Sequence, residues 1–443
     1  MIRDLFLIIG VMIVILSLTT CSDNSSDDDT IIVTTIDGFK DSVQWEAFNV
    51  SREGGFMSAG GYYGAADDGK YIYFAPCRDI NGFHGQVLRY DTDADFKTIT
   101  SFEVYDAGGI ENLNTKGYAG AVYAKNYVYF VPYINDDGRH ANVLRYNTNG
   151  EFKDQSSWSA FDAASTEGIP SGFMSLGYDG AVYDDHRYIY FVPYGDQNGA
   201  NPYALRYDTE GDFKDKSSWK AVNTMVVAEN TNAKGYYGCA YDGKYIYYVP
   251  FANQSGAKFH AMMMRYNTSL PFENKSSWDC YDAGNTNSES TVGYKGAVYD
   301  GRYVYYVPFR DKEGIGGQHT RVLRYDTELS FSNEIGWNCY DASYTDSLNT
   351  IGYVGALYDG HYVYFVPYQQ DELFHANVLR YDTRKSFKEN ESWSAFDSKD
   401  VNGLNAQGYK YGIVMKDYLY FVPYNNNHNF SGIVLRYKYE KQP

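Results

Sequence analysis

One phrase recurs seven times along the chain. It reads GYVGALYDGHYVYFVPY at 352–368, and close variants stand at 117–133, 177–194 and 293–309. Its opening glycine falls at Gly61, Gly117, Gly177, Gly235, Gly293, Gly352 and Gly408, at spacings of 56, 60, 58, 58, 59 and 56 residues. Such a period restricts the fold to a repeat architecture, in which each unit leaves an apolar face that only its neighbour can cover. Each unit holds four strand-like pieces. A small-residue run such as GAVYD comes first; RYVYFVPY follows a turn and ends at a proline; HANVLRYDT is the third and SSWSAFDA the fourth. Four short strands with tight turns, repeated seven times, predict an all-β fold, a seven-bladed β-propeller. Glycine and alanine suit the crowded innermost strand, and proline suits a strand end, where its missing N–H costs least. The 48 tyrosines and an aromatic content of 18% favour strands as well.

The two ends of the chain predict how the ring closes. The last repeat stops at GIVLRYKYE (432–440) without a fourth strand, and a spare fourth strand, VQWEAFNV (43–50), precedes the first repeat. An N-terminal strand completing the last blade would leave no open edge. The propeller is therefore expected over 43–443, with truncation tolerated up to about Trp45 but not past Val50. Upstream, Arg3 precedes the apolar run LFLIIGVMIVILSL (5–18), too short for a comfortable span of roughly 18–20 residues. This layout is that of an export signal. Leu18-Thr19-Thr20-Cys21 resembles a bacterial lipobox, which implies a signal segment over 1–21 and lipidation of Cys21. Residues 22–42, beginning SDNSSDDDT, read as a disordered acidic tether, and the Ser/Asp run resembles the surface-export signal of Bacteroidetes lipoproteins. The expected location is the bacterial outer membrane, lipid-anchored and surface-exposed.

Stacking the repeats separates scaffold from candidate chemistry. A catalytic group is needed once, so a residue present in every blade reads as structure. The arginine of the LRY column (Arg89, Arg145, Arg206, Arg265, Arg324, Arg380, Arg436) suggests a hydrogen bond or ion pair between blades. The tryptophan column (45, 158, 219, 278, 337, 393, with Phe102 substituting) reads as packing. Tyrosines of the Gly-Tyr pairs are expected to ring one mouth of the channel. His84, His140, His260, His319 and His375 share one column at the start of the third strand, on the same face. Two residues after the repeat proline, only the first and fifth blades carry arginine, Arg78 and Arg310. Those blades gather Tyr62, Arg78 and His84, and Tyr294, Arg310 and His319; the fourth blade adds Tyr236 and His260. Cys77, Cys239, Cys280 and Cys339 lack metal-ligand spacing and read as free thiols. No metal motif, P-loop or hydrolase motif occurs, and the sequence names no cofactor.

A net charge of −18 argues against nucleic acid as a partner. Aromatic faces with arginine suit an acidic polysaccharide. A Tyr followed sixteen residues later by an Arg, as in Tyr294/Arg310 and Tyr62/Arg78, together with seven-bladed architecture over 43–443, resembles the propeller polysaccharide lyases that act on ulvan. That resemblance implies β-elimination on a uronate, with Arg310 masking the carboxylate, His260 or Tyr294 as base and tyrosine as acid. Tyr236, His319, Tyr62, Arg78 and His84 would bind substrate. All seven inner-strand starts hold Tyr where that family also has a His. Noncatalytic glycan binding, with presentation to a neighbouring importer, and protein binding therefore stay open beside the lyase reading. The membrane would be engaged only through the lipid anchor.

Overall fold

The glycine of each Gly-Tyr pair is dictated by geometry. All seven have φ between +67° and +80°, a region that glycine enters without penalty. A Cβ there would lie 1.7–2.0 Å from a backbone carbonyl oxygen, that of the residue two past the repeat proline, from Arg78 beside Gly61 to Asn425 beside Gly408. The same loop returns a hydrogen bond, as the Arg78 N–H donates to the Gly61 carbonyl at 3.1 Å. The inner hairpin of every blade is locked at this end.

A computed structural model describes residues 38–53, 59–196, 199–253 and 258–441. Seven four-stranded antiparallel sheets form the blades of a β-propeller. From the channel outward the first blade runs Tyr62–Asp67, Tyr71–Pro76, Gln86–Asp91 and Phe102–Asp106. The seventh runs Tyr409–Met415, Tyr418–Pro423, Ile433–Lys438 and then Trp45–Asn49, with Trp45 opposite Tyr437 and Asn49 opposite Ile433. The N-terminal strand thus completes the last blade. Each inner strand neighbours the next, and the seventh neighbours the first. Their glycines come into backbone contact: a Cβ on Gly64 would sit 2.8 Å from Gly120 Cα, and one on Gly296 3.0 Å from Gly355 Cα.

Between blades, the LRY arginines do more than form polar bonds. Each guanidinium lies between the tyrosine that opens its own blade's second strand and a phenylalanine from the outer turn of the next blade. Arg145 stands 4.2 Å from the Tyr127 ring and 4.0 Å from Phe213. Arg324 stands 4.2 Å from Tyr303 and 4.1 Å from Phe387. Arg436, in the last blade, reaches Phe96 of the first at 4.2 Å. Among the described residues the polar partner varies: Glu103, Asp279 and Glu46 are acidic, whereas Arg145 bonds Ser159. The constant element is the aromatic sandwich, worth about 0.5–2 kcal/mol for each cation–ring contact. The tryptophans fix the phenylalanines: Trp158, Trp219, Trp278, Trp337 and Trp393 each donate their indole N–H to the carbonyl of the phenylalanine six residues earlier, at 2.8–3.1 Å.

The same rule extends the fold beyond its expected start. Phe39, fully buried, accepts the Trp45 indole N–H through its carbonyl at 2.9 Å and covers the Arg380 guanidinium at 4.1 Å. The propeller therefore includes Gly38–Gln44, and truncation to Trp45 would remove a blade-junction residue. Phe39 occupies the turn before the fourth strand, so the chain enters on the face opposite the Gly-Tyr openings. Cys21 lies outside the described residues; Cys77, Cys239, Cys280 and Cys339 are free thiols. We expect Phe39→Ala to lower unfolding free energy by about 3–5 kcal/mol. Lys40→Ala, which removes only an exposed pair with Asp346, should change it by under about 1 kcal/mol. Equal effects of the two substitutions in denaturant titrations would overturn the role given to Phe39.

Candidate functional site

The sequence-predicted tyrosines and histidines are brought together, but in the same way in five blades. Tyr62 packs edge-on to His84 at 5.9 Å between ring centroids, Tyr236 to His260 at 5.9 Å and Tyr294 to His319 at 5.9 Å. Tyr118/His140 and Tyr353/His375 repeat the arrangement. The expectation that the Gly-Tyr tyrosines ring the channel mouth is corrected by their burial: all seven have no exposed surface and sit in the cores between blades. The hydroxyls of Tyr236 and Tyr294 donate to the carbonyls of Met262 and Arg321, both at 3.1 Å. Successive strand residues point to opposite sides, so the channel receives the residue after each of these tyrosines.

The histidines fasten the third strand to the inner one. Nδ1 of His84, His260 and His319 accepts the backbone N–H two residues on, each at 3.2 Å. This places the proton of the neutral ring on Nε2, which donates to Gly60 O in His84 and to Val292 O in His319. His260 Nε2 is buried without a hydrogen-bond partner. Burial lowers His140, His260, His319 and His375 to about 4, so they are neutral at pH 7. His260 adjoins Tyr294 through the Gly293 N–H, which donates to the His260 carbonyl at 3.3 Å, yet the His260 ring packs on Tyr236 and the Tyr294 ring on His319. Desolvation raises Tyr294 well above the usual phenol value. Of the two arginines, Arg78 is exposed and lies over Phe83 and Phe430. Arg310 lies over Phe309 and donates to Glu313 at 3.0 Å.

Two other columns build the mouth. The residue after each Gly-Tyr reads Tyr63, Ala119, Asp179, Tyr237, Lys295, Val354 and Lys410 around the ring. The residue after each repeat proline reads Cys77, Tyr133, Tyr194, Phe251, Phe309, Tyr368 and Tyr424. The uncharged members of both columns pack into one cluster, separate from the interblade cores. The available signal was the first column's variation in charge within an otherwise repetitive inner strand.

Within this cluster charges are held by rings. Lys295 Nζ lies 4.4, 4.5 and 4.1 Å from the ring centroids of Tyr237, Phe251 and Phe309. Lys410 Nζ lies 3.6, 4.2 and 5.1 Å from Tyr63, Tyr424 and Tyr368. Neither ammonium has an ion-pair or hydrogen-bond partner among the described residues. Arg139 lies over Tyr133 at 4.1 Å and Tyr194 at 5.2 Å, and its Nη1 is buried without a hydrogen-bond partner. Fully buried Asp179 accepts the hydroxyl protons of Tyr63 at 2.8 Å and Tyr411 at 3.0 Å, while the Tyr63 and Tyr237 hydroxyls touch. Burial pushes Asp179 up to about 7 against the pull of Lys410, the Tyr411 bond, Lys295 and Arg139. Burial also lowers Lys410 to about 8 and Lys295 well below the ordinary lysine value. Arg139 and the two lysines face one partly neutralised carboxyl, and a bound anion would favour the charged form of both lysines. No group of three or more metal-ligating side chains occurs among the described residues.

The titrating groups fix the sign of the stability profile. Unfolded histidine takes up its proton near 6.5, while four folded ones do so only at about 4. Between those values the unfolded chain binds more protons, so stability falls as pH drops. Asp179 acts oppositely: its raised value gives stability that is full below about 3.9 and lost as pH rises through about 7. Four histidines outweigh one carboxyl, and the denaturation midpoint should climb from pH 4 to 6.5. A flat or descending profile would contradict the buried, neutral histidines.

No protein-family model matches the chain, and no curated protein matches it.

Proposed function

We propose that this chain is a surface-displayed binding propeller whose channel mouth takes the carboxylate or sulfate of an acidic carbohydrate. The observation that carries this reading is the pair of ring-held ammoniums, Lys295 and Lys410, which have no ion pair or hydrogen bond among the described residues and share only Asp179, itself pushed up to about 7, as a nearby carboxyl, in a chain of net charge −18. Burying charge costs several kcal/mol unless it is paired, and aromatic faces return only part of that. An incoming anion supplies the missing partner. Arg139, Arg310 and Arg78 add cations nearer the rim, and the partly exposed faces of Tyr133, Tyr194 and Tyr424 can stack on a sugar ring. A lipid anchor on Cys21 would hold the protein at the membrane, where the mouth would present glycan to a neighbouring importer.

Binding without turnover is favoured over β-elimination. A general base must reach the proton it removes, and His260 and Tyr294 are enclosed, with His260 only 8% exposed and Tyr294 not at all. Isothermal titration against uronate and sulfated oligosaccharides tests the reading. Lys295→Met and Lys410→Met should each weaken binding at least about tenfold, the 1.4 kcal/mol scale of one charge-assisted contact, without lowering the melting temperature, since each removes a buried unpaired charge. Unaffected affinity in both variants would refute the site. New absorbance near 230 nm on mixing would favour the lyase instead. Affinity should also decline from pH 6.5 to 9, because Asp179 gains negative charge through about 7 and Lys410 loses positive charge through about 8. A pH-independent affinity would contradict that electrostatic account.

A further inference from the structure

The seventh inner strand breaks the repeat at one position. Six blades carry glycine two residues after the Gly-Tyr tyrosine, at Gly64, Gly120, Gly180, Gly238, Gly296 and Gly355; the seventh carries Tyr411. Tyr411 keeps the glycine-like backbone, with φ +57°, which is costly for a bulky residue. Its side chain lies over the missing Cβ positions of three other blades. A Cβ on Gly355 would meet its Cδ1 at 2.7 Å, one on Gly296 its Cε1 at 3.3 Å, and one on Gly238 its hydroxyl at 2.9 Å. From there the hydroxyl reaches Asp179, in the third blade, at 3.0 Å. Tyr63, from the first blade, meets the same carboxyl and touches Tyr237 of the fourth. Tyrosines from the first and seventh blades thus meet across the channel on one carboxyl, and a third, from the fourth blade, joins them through the Tyr63 hydroxyl.

We infer that the mouth is a blind cup, floored by Tyr411, Tyr63 and Tyr237 on Asp179, and that it receives the terminal acidic residue of a glycan end-on. This rests on the acidic-carbohydrate reading above. The ammoniums of Lys295 and Lys410 belong to the strand residues beside this floor. The post-proline aromatic residues surround them, and short hairpins such as Arg78–Phe83, Ile134–Arg139 and Gln369–Phe374 extend past that collar. A residue inside a polymer must leave room for chain in two directions, and a closed floor with walls on every side offers one. A terminal residue needs only one exit. Its carboxylate can descend to Lys295 while the rest of the chain leaves through the mouth.

The test compares galacturonate and glucuronate oligosaccharides of two chain lengths, with the free monosaccharide acids as competitors, on the full chain. Under end-on recognition, the amount of glycan needed for saturation tracks the number of chain ends, and the monosaccharide displaces the oligosaccharide completely. Saturation that follows total uronate mass regardless of length, or a monosaccharide that fails to compete, would overturn end-on recognition while leaving anionic-glycan binding intact. Absence of binding by every acid overturns both. Tyr411→Gly restores the residue of the other six blades, so the fold should persist, with the monosaccharide bound at least tenfold more weakly. Unchanged monosaccharide affinity in a folded Tyr411→Gly protein would remove Tyr411 from the floor.

Discussion

The ring is held by a cation between two aromatic faces, one from each side of a blade junction. Each blade contributes an arginine and a tyrosine to one junction and the turn phenylalanine to the other. Phe39 fills this role for Arg380, and Phe96 fills it for Arg436. The N-terminal segment therefore closes the structure twice, by strand pairing and by supplying a junction ring. Hydrogen bonding from each tryptophan to the phenylalanine carbonyl keeps that ring in position, so the tryptophan column acts through the turn it pins. Because neighbouring units carry one another, the loss of a junction is felt by two blades rather than one.

The mouth uses the same chemistry with one difference. At a junction the guanidinium also finds an acidic, hydroxyl or phenolic partner in most blades: Arg89 bonds Glu103 and Tyr146, and Arg265 bonds Asp279 and Tyr325. Lys295 and Lys410 have ring faces alone. A sandwiched arginine with its hydrogen bonds filled is finished structure. An ammonium whose N–H donors meet only rings retains capacity for an acceptor. Most scaffold arginines differ from the candidate binding cations in this respect, Arg324 with its buried, unbonded Nε being an exception.

The blade count, strand order and closure were legible in the sequence because each follows from the period and from one displaced strand. Phe39 was not, since it stands outside the strand pattern and its role emerges only when Arg380 is seen to need a second ring. The channel lining was read one residue early in each inner strand. Repetition made the Gly-Tyr tyrosines conspicuous, but strand alternation turns them into the blade interface and leaves the channel to their successors. The histidines were likewise grouped correctly as a column. Their shared hydrogen bonds give that regularity a structural cause. Asp179, Lys295, Lys410 and Tyr411 carry no motif; they become visible only as departures in columns that otherwise hold small or aromatic residues.

The charge of the whole molecule and that of the mouth act over different distances. A surface of net charge −18 repels an acidic glycan, but salt confines that repulsion to about 8 Å at physiological ionic strength. Inside the proposed cup the screening would be weaker, and the attraction of Lys295, Lys410 and Arg139 would be felt at short range. Under the proposed end-on binding an acidic polymer would be held off along its length while a terminal carboxylate entering the cup would be drawn inward. The long-range field and a floor at Tyr411 would then discriminate in the same direction, one against the body of the chain and the other in favour of its end.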